Sequence, residues 1–573
     1  MLSLKLTSAS LPPIIQSVQP VITAAQMREI DRLTVEEYAT PSLLLMEAAA
    51  AATLRTIAEK FPQNLEGKRA RILCGPGNNG GDGAALARQL AGAGVHTDII
   101  LFGRIEHTKG DAQINFETAS RLASFEAGSS SLPSPLTFVE CDSISTWEEM
   151  AGRSRNYDII VDALFGTGLT RPLEGVYLQV IEHLALIKRA RNRAGGTRPL
   201  IVSLDIPSGL NADLAEPIGP AVEADLTVTF TAPKPANVLP PACLYGGELS
   251  IANIGSPEVL LEGAGTKLFL VEPEDAHGWL VRTRYTPESY KNTHGHVLVI
   301  GGSPDYSGAA ALCSNAAMRS GTGLVTLAVP ASAQASVAAR AMPEVMTTAL
   351  AETDRGAVSD AAIDHALQVA AKASVVAIGP GLTAEVERTR RFVRGVVEGR
   401  TTAMVIDADG LNCLAPWPEH LRGSSALPLI LTPHPGEMSR LIGSDKKGFD
   451  DRVAAALGFA VRHEVIVLLK GPRSLIAAPD GCVFINSTGN AGLGTAGAGD
   501  TLTGLVAGFI AQAIATLKDQ ADVLSAAIAA LYVGGLAGDL AARQLGMRTM
   551  VASDIREHFG AAILSLDSEG ELP

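Results

Sequence analysis

The stretch Asn490-Ala491-Gly492-Leu493-Gly494-Thr495-Ala496-Gly497-Ala498-Gly499-Asp500-Thr501-Leu502-Thr503-Gly504 precedes a strongly apolar segment near the end of the chain. Its glycines let backbone N–H groups approach a ligand without a Cβ in the way. Several such donors at a helix start stabilise charge that develops on a transferred phosphoryl group. Asp500 is placed to accept a proton from an acceptor hydroxyl. The stretch predicts a nucleotide-dependent, kinase-like α/β domain with Asp500 as its catalytic residue. A helix N-cap, the alternative for Asp500, does not require the preceding glycines.

The chain has 573 residues, which is too many for one hydrophobic core, so two or more domains are expected. A composition of 47% hydrophobic and 18% charged residues is typical of globular proteins. The formal net charge is −14 and no Lys/Arg block is present, so we expect no nucleic-acid partner. Anionic nucleotides remain possible ligands, because backbone N–H groups and local lysines can bind them.

The six cysteines are scattered singly with no C-x-x-C pair, which argues against a zinc site or a disulfide framework and suits a reducing compartment. The N-terminus is a poor signal peptide. No stretch reaches about 18 uninterrupted apolar residues, so no membrane span is expected. We therefore expect a cytoplasmic protein, a homo-oligomer, that acts on small molecules.

The order of predicted elements indicates two different α/β domains. Residues 1–20 are predicted to be a leader, 21–265 a first domain and 275–565 a second, with the boundary near 260–280. Helical and strand-like segments alternate in both domains, which predicts mostly parallel sheets with helices on both faces. Helical patterns begin near Thr23, break at Pro41 and resume over Leu43–Ala58, and Ala127–Pro135 is predicted to be a surface loop. The predicted strands of the first domain are Arg71–Cys74, Val95–Phe102, Asp158–Ala163, Leu200–Leu204 and Leu226–Phe230. Those of the second are His296–Ile300, Gly323–Val329, Val375–Ile378, Ala403–Ile406, Leu429–Leu431, Val465–Leu469 and Ser474–Ala477, followed by helices over Thr501–Ala515 and Leu524–Ala542.

In the first domain a glycine-rich turn, Gly75-Pro76-Gly77-Asn78-Asn79-Gly80-Gly81-Asp82-Gly83, joins a strand to a helix. Backbone N–H groups and the helix dipole favour an anion such as a pyrophosphate there. Three of the glycines also satisfy G-x-G-x-x-G, which alone is a weak signal. A dinucleotide-binding unit for hydride transfer needs an acidic residue at the end of the next strand, whereas Asp98 falls within that strand. Hydride transfer is therefore disfavoured, and a tight turn without a ligand is the remaining alternative.

Polar residues follow two further strands of this domain. Asp162 ends one strand, and Asp205 and Ser208 follow the next. Ligands of parallel α/β sheets lie beyond the carboxyl ends of the strands, so these residues are expected to share a crevice with Asn79 and Asp82. Carboxylate, amide and hydroxyl oxygens can together bind a hard cation. For each aspartate alone, helix N-capping is the alternative.

Gly75–Gly83, Asp162–Leu169 and Asp205–Gly209 resemble the NAD(P)H-hydrate epimerase family, and Ala25–Asp31 matches the helix that opens its fold. The resemblance covers about residues 20–255 and implies a Rossmann-like three-layer fold that interconverts the R and S forms of hydrated NADH and NADPH. It implies a K⁺ ion on Asn79, Asp162 and Ser208, with Asp162 or Asp205 assisting proton movement at the hydrated carbon. The implied substrate contacts are Asn78, Asn79, Gly80, Gly81, Asp82, Gly166, Thr167, Gly168, Leu169, Thr170, Arg171, Pro172 and Asp205.

Gly-Ala-Gly-Asp at a helix start resembles the ribokinase-like superfamily, a three-layer α/β fold. Over about residues 285–560 the chain resembles the ADP- or ATP-dependent NAD(P)H-hydrate dehydratases more narrowly. The matching motifs are Gly301–Ser303, Gly308–Ala310, Arg319–Val325, Gly379–Leu382, Asp407–Asn412, Thr432–Glu437 and Leu469–Gly471. Phosphorylation of the extra hydroxyl of a hydrated nicotinamide would make a leaving group, and elimination would restore the ring. The implied dinucleotide contacts are Ala309, Gly381, His434 and Asp500, and those of ADP or ATP are Lys470, Gly471, Pro472, Arg473, Ser474 and Gly499.

No P-loop is present, so the nucleotide phosphates are expected to rest on the glycine turns and Mg²⁺. Ala498 departs from the dehydratase pattern, which commonly has a hydroxyl residue at that position. His434 has a structural loop role as its alternative, and Lys470 a solvated strand end. Two other functions stay open: a small-molecule (vitamin) kinase fused to a nucleotide-binding domain, which would yield a stable phosphorylated product, and a regulatory nucleotide-binding protein without turnover.

Overall fold

Two separate, mostly parallel sheets form the centres of the two halves of the chain. The computed structural model describes residues 18–129, 135–152, 156–194, 199–444, 448–449 and 451–567. The chain divides into two units, Pro20–Thr266 and a second that includes Lys267–Pro573. Residues 1–17 of the predicted leader lie outside the described residues. The expectation of two α/β domains built on mostly parallel sheets is confirmed.

The sheet of the first unit has seven strands, all parallel. The chain order reverses between Arg69–Cys74 and Ile159–Ala163, which are adjacent, and such a switch point opens a crevice at the strands' carboxyl ends. The five predicted strands are confirmed with small shifts at their ends. The two outer strands were missed because their exposed positions interrupt the apolar run. In spatial order the strands are Leu136–Glu140, His96–Leu101, Arg69–Cys74, Ile159–Ala163, Leu200–Leu204, Leu226–Phe230 and Glu248–Ala252.

Helices cover both faces of this sheet. Ile72 and Cys74 belong to one apolar cluster, whereas Leu73 packs into another with Trp147 and Val180, as strand alternation requires. Thr23 caps the first helix, and Pro41 precedes the second, where the helical pattern was expected to break. The helices are Ala24–Glu36, Ser42–Glu59, Asn78–Gly92, Gly110–Ser129, Ile144–Gly152, Val176–Ala194, Pro235–Val238 and Glu258–Glu262, with 3₁₀ turns at Ile105–His107 and Ala242–Tyr245.

The loop predicted at Ala127–Pro135 is wrong at its start, because helix Gly110–Ser129 continues through its first three residues. Residues 130–134 lie outside the described residues. The serine-rich composition of that stretch suggested a loop, but Ser and Ala are tolerated in the last turn of a helix.

The second unit has a longer sheet. Leu475–Ala477 runs antiparallel to both of its neighbours, and the other strands named here pair in parallel. The seven predicted strands are confirmed, and three further short strands were missed: Leu268–Val271, Met346–Leu350 and Val483–Asn486. In spatial order the strands are Leu268–Val271, Val483–Asn486, Leu475–Ala477, Ile466–Leu469, Leu429–Leu431, Ala403–Ile406, Val375–Ile378, His296–Ile300, Leu324–Pro330 and Met346–Leu350. A two-residue strand, Gln19–Pro20, precedes the first helix of the chain.

Two long apolar helices form the centre of one face of this second sheet. Ala498–Leu517 and Val523–Leu545 pack with Val297 and Val299 in one apolar cluster. Among the described residues, these two are the helices long and apolar enough to cross a membrane, but 67% and 72% of their most apolar windows are buried inside the fold. That burial is how core helices behave, since their apolar surface is already covered.

The remaining helices of the second unit are Pro273–Arg282, Ser307–Arg319, Gln334–Ala338, Ile363–Ala370, Glu387–Glu398, Ala408–Leu414, Pro435–Ile442, Arg452–His463, Ala552–Glu557 and Phe559–Asp567. Single 3₁₀ turns lie at Lys291–His294, Ala331–Ala333, Asp360–Ala362, Ala491–Leu493 and Lys518–Gln520.

We predict that Gly504→Ala destabilises the second domain. Gly504 lies in helix Ala498–Leu517 against helix Ser307–Arg319, and a Cβ there would lie 2.0 Å from the carbonyl oxygen of Cys313. The helices would have to separate, at a cost of about 1–3 kcal/mol in the free energy of unfolding. Urea unfolding followed by far-UV circular dichroism measures this change.

The matched control is Gly458→Ala in helix Arg452–His463, where a Cβ would meet no atom within 4 Å. Because alanine is the better helix former, this variant should be more stable by about 0.5–1 kcal/mol. Equal effects of the two substitutions would contradict the packing role of Gly504.

Candidate functional site

The glycine-rich turn of the first domain is packed tightly against the neighbouring strand end. A Cβ on Gly75 would lie 1.9 Å from the Leu164 carbonyl oxygen, and one on Gly80 would lie 1.8 Å from the Gly75 carbonyl oxygen. Gly80 and Gly81 are buried, whereas Asn78 is exposed. Gly75 and Gly80 thus have a packing role, and Asn78 lies at the accessible surface of the turn.

Asp162 is fully buried at the end of its strand and is surrounded by donors. Its Oδ2 accepts hydrogen bonds from Ser203 Oγ (2.8 Å) and from the Ser208 backbone N–H (2.9 Å). The Leu164 N–H is 3.3 Å from Oδ1. Burial raises the pKa of Asp162, and these hydrogen bonds oppose the rise. The carboxylate therefore ties the turn after its own strand to Ser208 of the next strand's turn.

Asp205 forms a buried ion pair that the sequence analysis missed. Its Oδ1 accepts hydrogen bonds from Lys234 Nζ at 2.5 Å and from Thr229 Oγ1 at 3.0 Å. The Lys234 side chain is 1% exposed and also donates to the Phe230 carbonyl oxygen at 3.0 Å. No pattern around Lys234 in the sequence indicated a partner 29 residues away.

The other carboxylate oxygen of Asp205 lies beside the predicted substrate turn. A Cβ on Gly166 would lie 3.4 Å from Asp205 Oδ2 and 3.3 Å from Asn79 Oδ1. The Asn79 Nδ2 atom is buried and has no hydrogen-bond partner within the described structure. Gly166, Asn79 and Asp205, which lie far apart in the sequence, are thus brought together.

Two more carboxylates interact electrostatically with Asp205. Burial raises the pKa of Asp31 to about 6, while the positive charge of Lys234 opposes the rise and Asp205 adds to it. Burial also raises the pKa of Asp82 well above its usual range, and the charges of Asp205 and Asp31 add to this effect. The sequence analysis included Asp31 in a motif but gave it no role, since one acidic residue on an amphipathic helix is not informative.

The predicted substrate segment 166–172 is only partly accessible. Leu169 is 7% exposed and belongs to an apolar cluster, so its side chain points into the domain. Gly166 and Thr167 are half-buried, and the accessible members are Gly168, Thr170, Arg171 and Pro172.

In the second domain Asp500 lies in the first turn of helix Ala498–Leu517. The cap residue is Gly497, in the left-handed conformation (φ 84°), and no side chain caps the helix. The N-cap alternative for Asp500 is therefore wrong. Burial raises the pKa of Asp500 to about 7; the charge of Asp407 adds to the rise and that of Lys470 opposes it. Such a carboxyl group can exchange a proton near neutral pH.

Lys470 binds a buried aspartate that the sequence analysis did not select as a site residue. Asp407 is 1% exposed, and its two carboxylate oxygens accept hydrogen bonds from Lys470 Nζ (2.7 Å) and Thr503 Oγ1 (2.6 Å). A Cβ on Gly499 would lie 3.3 Å from Lys470 Nζ. The solvated-strand-end alternative for Lys470 is wrong, because its side chain is 20% exposed and ion-paired.

The pKa of Lys470 reflects this environment. Burial alone would lower it, but the charges of Asp407, Glu437 and Asp500 together raise it. The signal that could have identified Asp407 was its position directly after an apolar parallel strand.

His434 caps helix Pro435–Ile442 and keeps its side chain half-exposed. Its Nδ1 accepts from the Gly436 N–H (3.0 Å) and the Glu437 N–H (3.3 Å), so a neutral ring carries its proton on Nε2. Burial lowers the pKa of His434, and the charges of Lys470 and Arg440 lower it further. The structural role and a donor role at Nε2 are compatible.

Gly381 and Ala309, two predicted dinucleotide contacts, are adjacent. A Cβ on Gly381 (φ 71°) would lie 2.7 Å from the Tyr306 carbonyl oxygen and 3.3 Å from Ala309 Cβ. The loop that contains Gly381 also reaches Asp409, whose Oδ2 accepts from the Thr383 N–H at 2.9 Å. This loop therefore borders the Asp407–Asp409 segment.

The predicted nucleotide segment Lys470–Ser474 forms a tight turn. Gly471 has φ 143°, and Ser474 Oγ donates to its carbonyl oxygen at 3.0 Å. Arg473 donates from Nη1 to the Ser487 carbonyl oxygen at 2.9 Å. One nitrogen of the Arg473 guanidinium is thus hydrogen-bonded within the protein. The Lys470 ammonium lies close to Gly499.

Comparison with known proteins finds a family match for each of the two domains. A family model described as NAD(P)H-hydrate dehydratase matches residues 297–559, and one described as YjeF-related protein N-terminus matches residues 42–236. The bifunctional NAD(P)H-hydrate repair enzyme of Moorella thermoacetica is 38% identical over 552 residues, which are 96% of this chain and 98% of the relative. The enzyme of the same name from Thermofilum pendens is 35% identical over 96% of this chain and 97% of the relative.

Among solved structures, the chain is similar to the ADP/ATP-dependent NAD(P)H-hydrate dehydratase of Bacillus subtilis, co-crystallised with ATP and Mg²⁺. The sequence identity is 26% and the TM-score is 0.44, over 52% of this chain and 97% of that one.

We predict that Lys234→Met destabilises the first domain, because it leaves the Asp205 carboxylate buried without its cation. Removing one partner of a buried pair costs about 3–5 kcal/mol. Amide hydrogen exchange in the segment 226–238, under native conditions, measures the lowered free energy of opening.

The matched control Lys60→Met breaks a more exposed pair with Glu248 and should cost at most about 1 kcal/mol. If Lys234→Met with Asp205→Asn costs as much as the two single changes added together, the two residues are not coupled.

Proposed function

The chain belongs to the family of bifunctional NAD(P)H-hydrate repair enzymes, and we propose that its two domains act in turn on hydrated NADH and NADPH. The first domain interconverts the R and S hydrates, and the second dehydrates the S form with ADP or ATP. The observation that supports this proposal best is Asp500, a proton-exchanging carboxyl at a glycine-flanked helix start beside Lys470.

In the first domain, Asp205 is the better candidate for contact with the substrate. Its Oδ2 lies beside Gly166 and Asn79, whereas both oxygens of the fully buried Asp162 face donors of the protein. Lys234 holds the opposite oxygen of Asp205, so the carboxylate is oriented and its negative charge is compensated. We assign Asp205 to proton movement at the hydrated carbon and Asp162 to positioning the turns around it.

We also infer a monovalent-cation site at Asn79, Asp162 and Ser208, from the chemistry of their side-chain oxygens. Amide, carboxylate and hydroxyl oxygens are hard ligands. The unpartnered buried atom of Asn79 is Nδ2, which is a hydrogen-bond donor, so Asn79 would contribute its Oδ1 to a cation. A K⁺ ion held by these three residues would offset the negative charge of the dinucleotide phosphates. The described residues contain no group of three or more His, Cys, Asp or Glu side chains arranged for a metal.

In the second domain, Asp500 accepts the proton of the substrate hydroxyl while the terminal phosphoryl group of the nucleotide moves to the hydroxyl oxygen. Backbone N–H groups around Gly499 and the ammonium of Lys470 stabilise the charge on the transferred group. Phosphate then leaves as the neighbouring carbon loses a proton, which restores the ring. We assign Mg²⁺ to the nucleotide phosphates, since Mg²⁺ is commonly held by substrate phosphates and few protein carboxylates.

The decisive experiment mixes R and S hydrates with the purified chain, K⁺, Mg²⁺ and either ADP or ATP. We expect the absorbance of the reduced nicotinamide to recover fully. Asp500→Asn should slow this recovery by about 10²–10⁴-fold, because general-base assistance is lost. The exposed Asp519→Asn, at the end of the same helical segment, is the matched control and should leave the rate unchanged.

Two other results would change the assignment. Recovery of the S form alone would contradict the epimerase activity and leave the dehydratase intact. A stable phosphorylated product without recovered absorbance would indicate a small-molecule kinase.

We also predict the pH dependence of the dehydratase step. Asp500 must be ionised to accept a proton and its pKa is about 7, so kcat/KM should rise as the pH increases through about 7. Asp407→Asn removes a negative charge that raises this pKa and frees Lys470 to favour the carboxylate. The acidic limb should therefore move to lower pH. An unchanged or higher midpoint, with activity still measurable, would exclude Asp500 as the titrating group.

A further inference from the structure

We propose that a cavity in the second domain, between Arg390 and Arg440, binds a phosphate group of the hydrated dinucleotide. The cavity measures about 610 Å³, and Glu385 and Asn412 also line it. The inference rests on the proposed function, because it names a second part of the same substrate. Asn412 ends the motif Asp407–Asn412, but no residue predicted to contact the dinucleotide or the nucleotide lines this cavity.

Asn412 connects the cavity to the reaction centre. Its Nδ2 donates to Asp409 Oδ1 at 3.2 Å, and its Oδ1 accepts from Arg440 Nε at 2.9 Å. Its carbonyl oxygen accepts from Arg390 Nη1 at 3.2 Å. On helix Ala408–Leu414, the side chain of Asn412 thus fixes Arg440 and its backbone carbonyl oxygen fixes Arg390. The same side chain bonds Asp409, whose charge acts on Asp500.

Both arginines keep donors that the protein does not use. Arg440 uses only Nε, so its two terminal nitrogens make no hydrogen bond to the described part of the chain. Arg390 uses Nε for the Ala384 carbonyl oxygen (2.8 Å) and Nη1 for Asn412, which leaves Nη2. Guanidinium groups with fixed planes and unused N–H donors are the side chains best suited to phosphate oxygens.

The charge around the cavity favours an anion. Arg390 and Arg440 contribute two positive charges and Glu385 one negative charge to its wall. A phosphate group would therefore meet a wall with a net positive charge.

Two residues of the cavity wall, Arg440 and Ala384, are close to residues predicted to hold the dinucleotide. A Cβ on Gly436 would lie 3.8 Å from Arg440 Nη1 and 2.9 Å from His434 Cε1, so the guanidinium approaches the histidine ring. Ala384 of the cavity wall follows Gly381 by three residues in one loop. Lys470 and Gly499, predicted to hold ADP or ATP, are not among the lining residues. The phosphate is therefore assigned to the dinucleotide and not to the phosphoryl donor.

Arg440→Gln tests this assignment, because it removes the charge and the terminal donors of the guanidinium, whose one hydrogen bond among the described residues goes to Asn412. Loss of a hydrogen-bonded charge is worth about 1.5–3 kcal/mol, so KM for the dinucleotide should rise about ten- to a hundred-fold. The KM for ADP should not change. The matched control is Arg391→Gln on the neighbouring helix Glu387–Glu398, where the guanidinium pairs with Asp360 and does not line the cavity.

The two hydrates distinguish the source of the phosphate. A higher KM for hydrated NADPH alone assigns the cavity to the phosphate on the adenosine ribose, and equal rises for both hydrates assign it to the pyrophosphate. An unchanged KM for both, or a rise only for ADP, overturns the proposal.

Binding of ADP-ribose and its 2′-phosphate, measured by calorimetry without turnover, separates this proposal from the proposed function. If the wild-type chain binds either compound and Arg440→Gln weakens that binding at least tenfold, the cavity assignment holds even where no hydrate is repaired. If Arg391→Gln weakens binding equally, the effect comes from general charge and the assignment fails.

Discussion

A buried carboxylate at the end of a parallel strand, paired with a lysine from elsewhere in the chain, organises each of the two sites. In the second domain Asp407 lies after Ala403–Ile406, and its oxygens bind Lys470 from the end of Ile466–Leu469 and Thr503 from helix Ala498–Leu517. An unpaired charge at 1% exposure would be strongly unfavourable, so the two strand ends and the helix start are held together. Asp500 and Gly499 lie in the first turn of the helix that Asp407 holds through Thr503, so this contact positions them.

The first domain also has a buried aspartate at a strand end that pairs with a lysine, at a different sequence separation. Asp205 follows Leu200–Leu204, and Lys234 returns to it after the next strand. Asp162, on the adjacent strand, instead satisfies its buried carboxylate with hydroxyl and backbone donors. Asp205 therefore keeps one oxygen beside Gly166 in the predicted substrate segment. Asp162 holds the two turns together. Asp162 and Asp205 lie at neighbouring strand ends, but they differ in chemical properties because their hydrogen-bond partners differ.

The sequence predictions were accurate where a feature depends on neighbouring residues, and they failed where it depends on partners far along the chain. Central strands such as Val375–Ile378 are buried on both faces and read as continuous apolar runs, so they were predicted correctly. The outer strands Leu136–Glu140 and Met346–Leu350 each have a single buried position, so no continuous apolar run marks them, and they were missed. Asp500 and Asp205 could be proposed as site residues because a helix start and a strand end mark them locally. Asp407 followed a predicted strand in the same way, but its importance depends on partners 63 and 96 residues away.

By itself, the sequence determined the two α/β domains, the glycine turns and the aspartates at the ends of strands, because each depends on local periodicity or local backbone freedom. Only the tertiary structure decided which carboxylate oxygens of these aspartates are bonded within the protein and which can contact a ligand. It paired Lys234 with Asp205, brought Asp31 and Asp82 near them, and set Arg390 and Arg440 around Asn412. The physical reason is that charge, burial and hydrogen bonding act over a few ångströms in space, and the fold sets those distances between residues far apart in the chain.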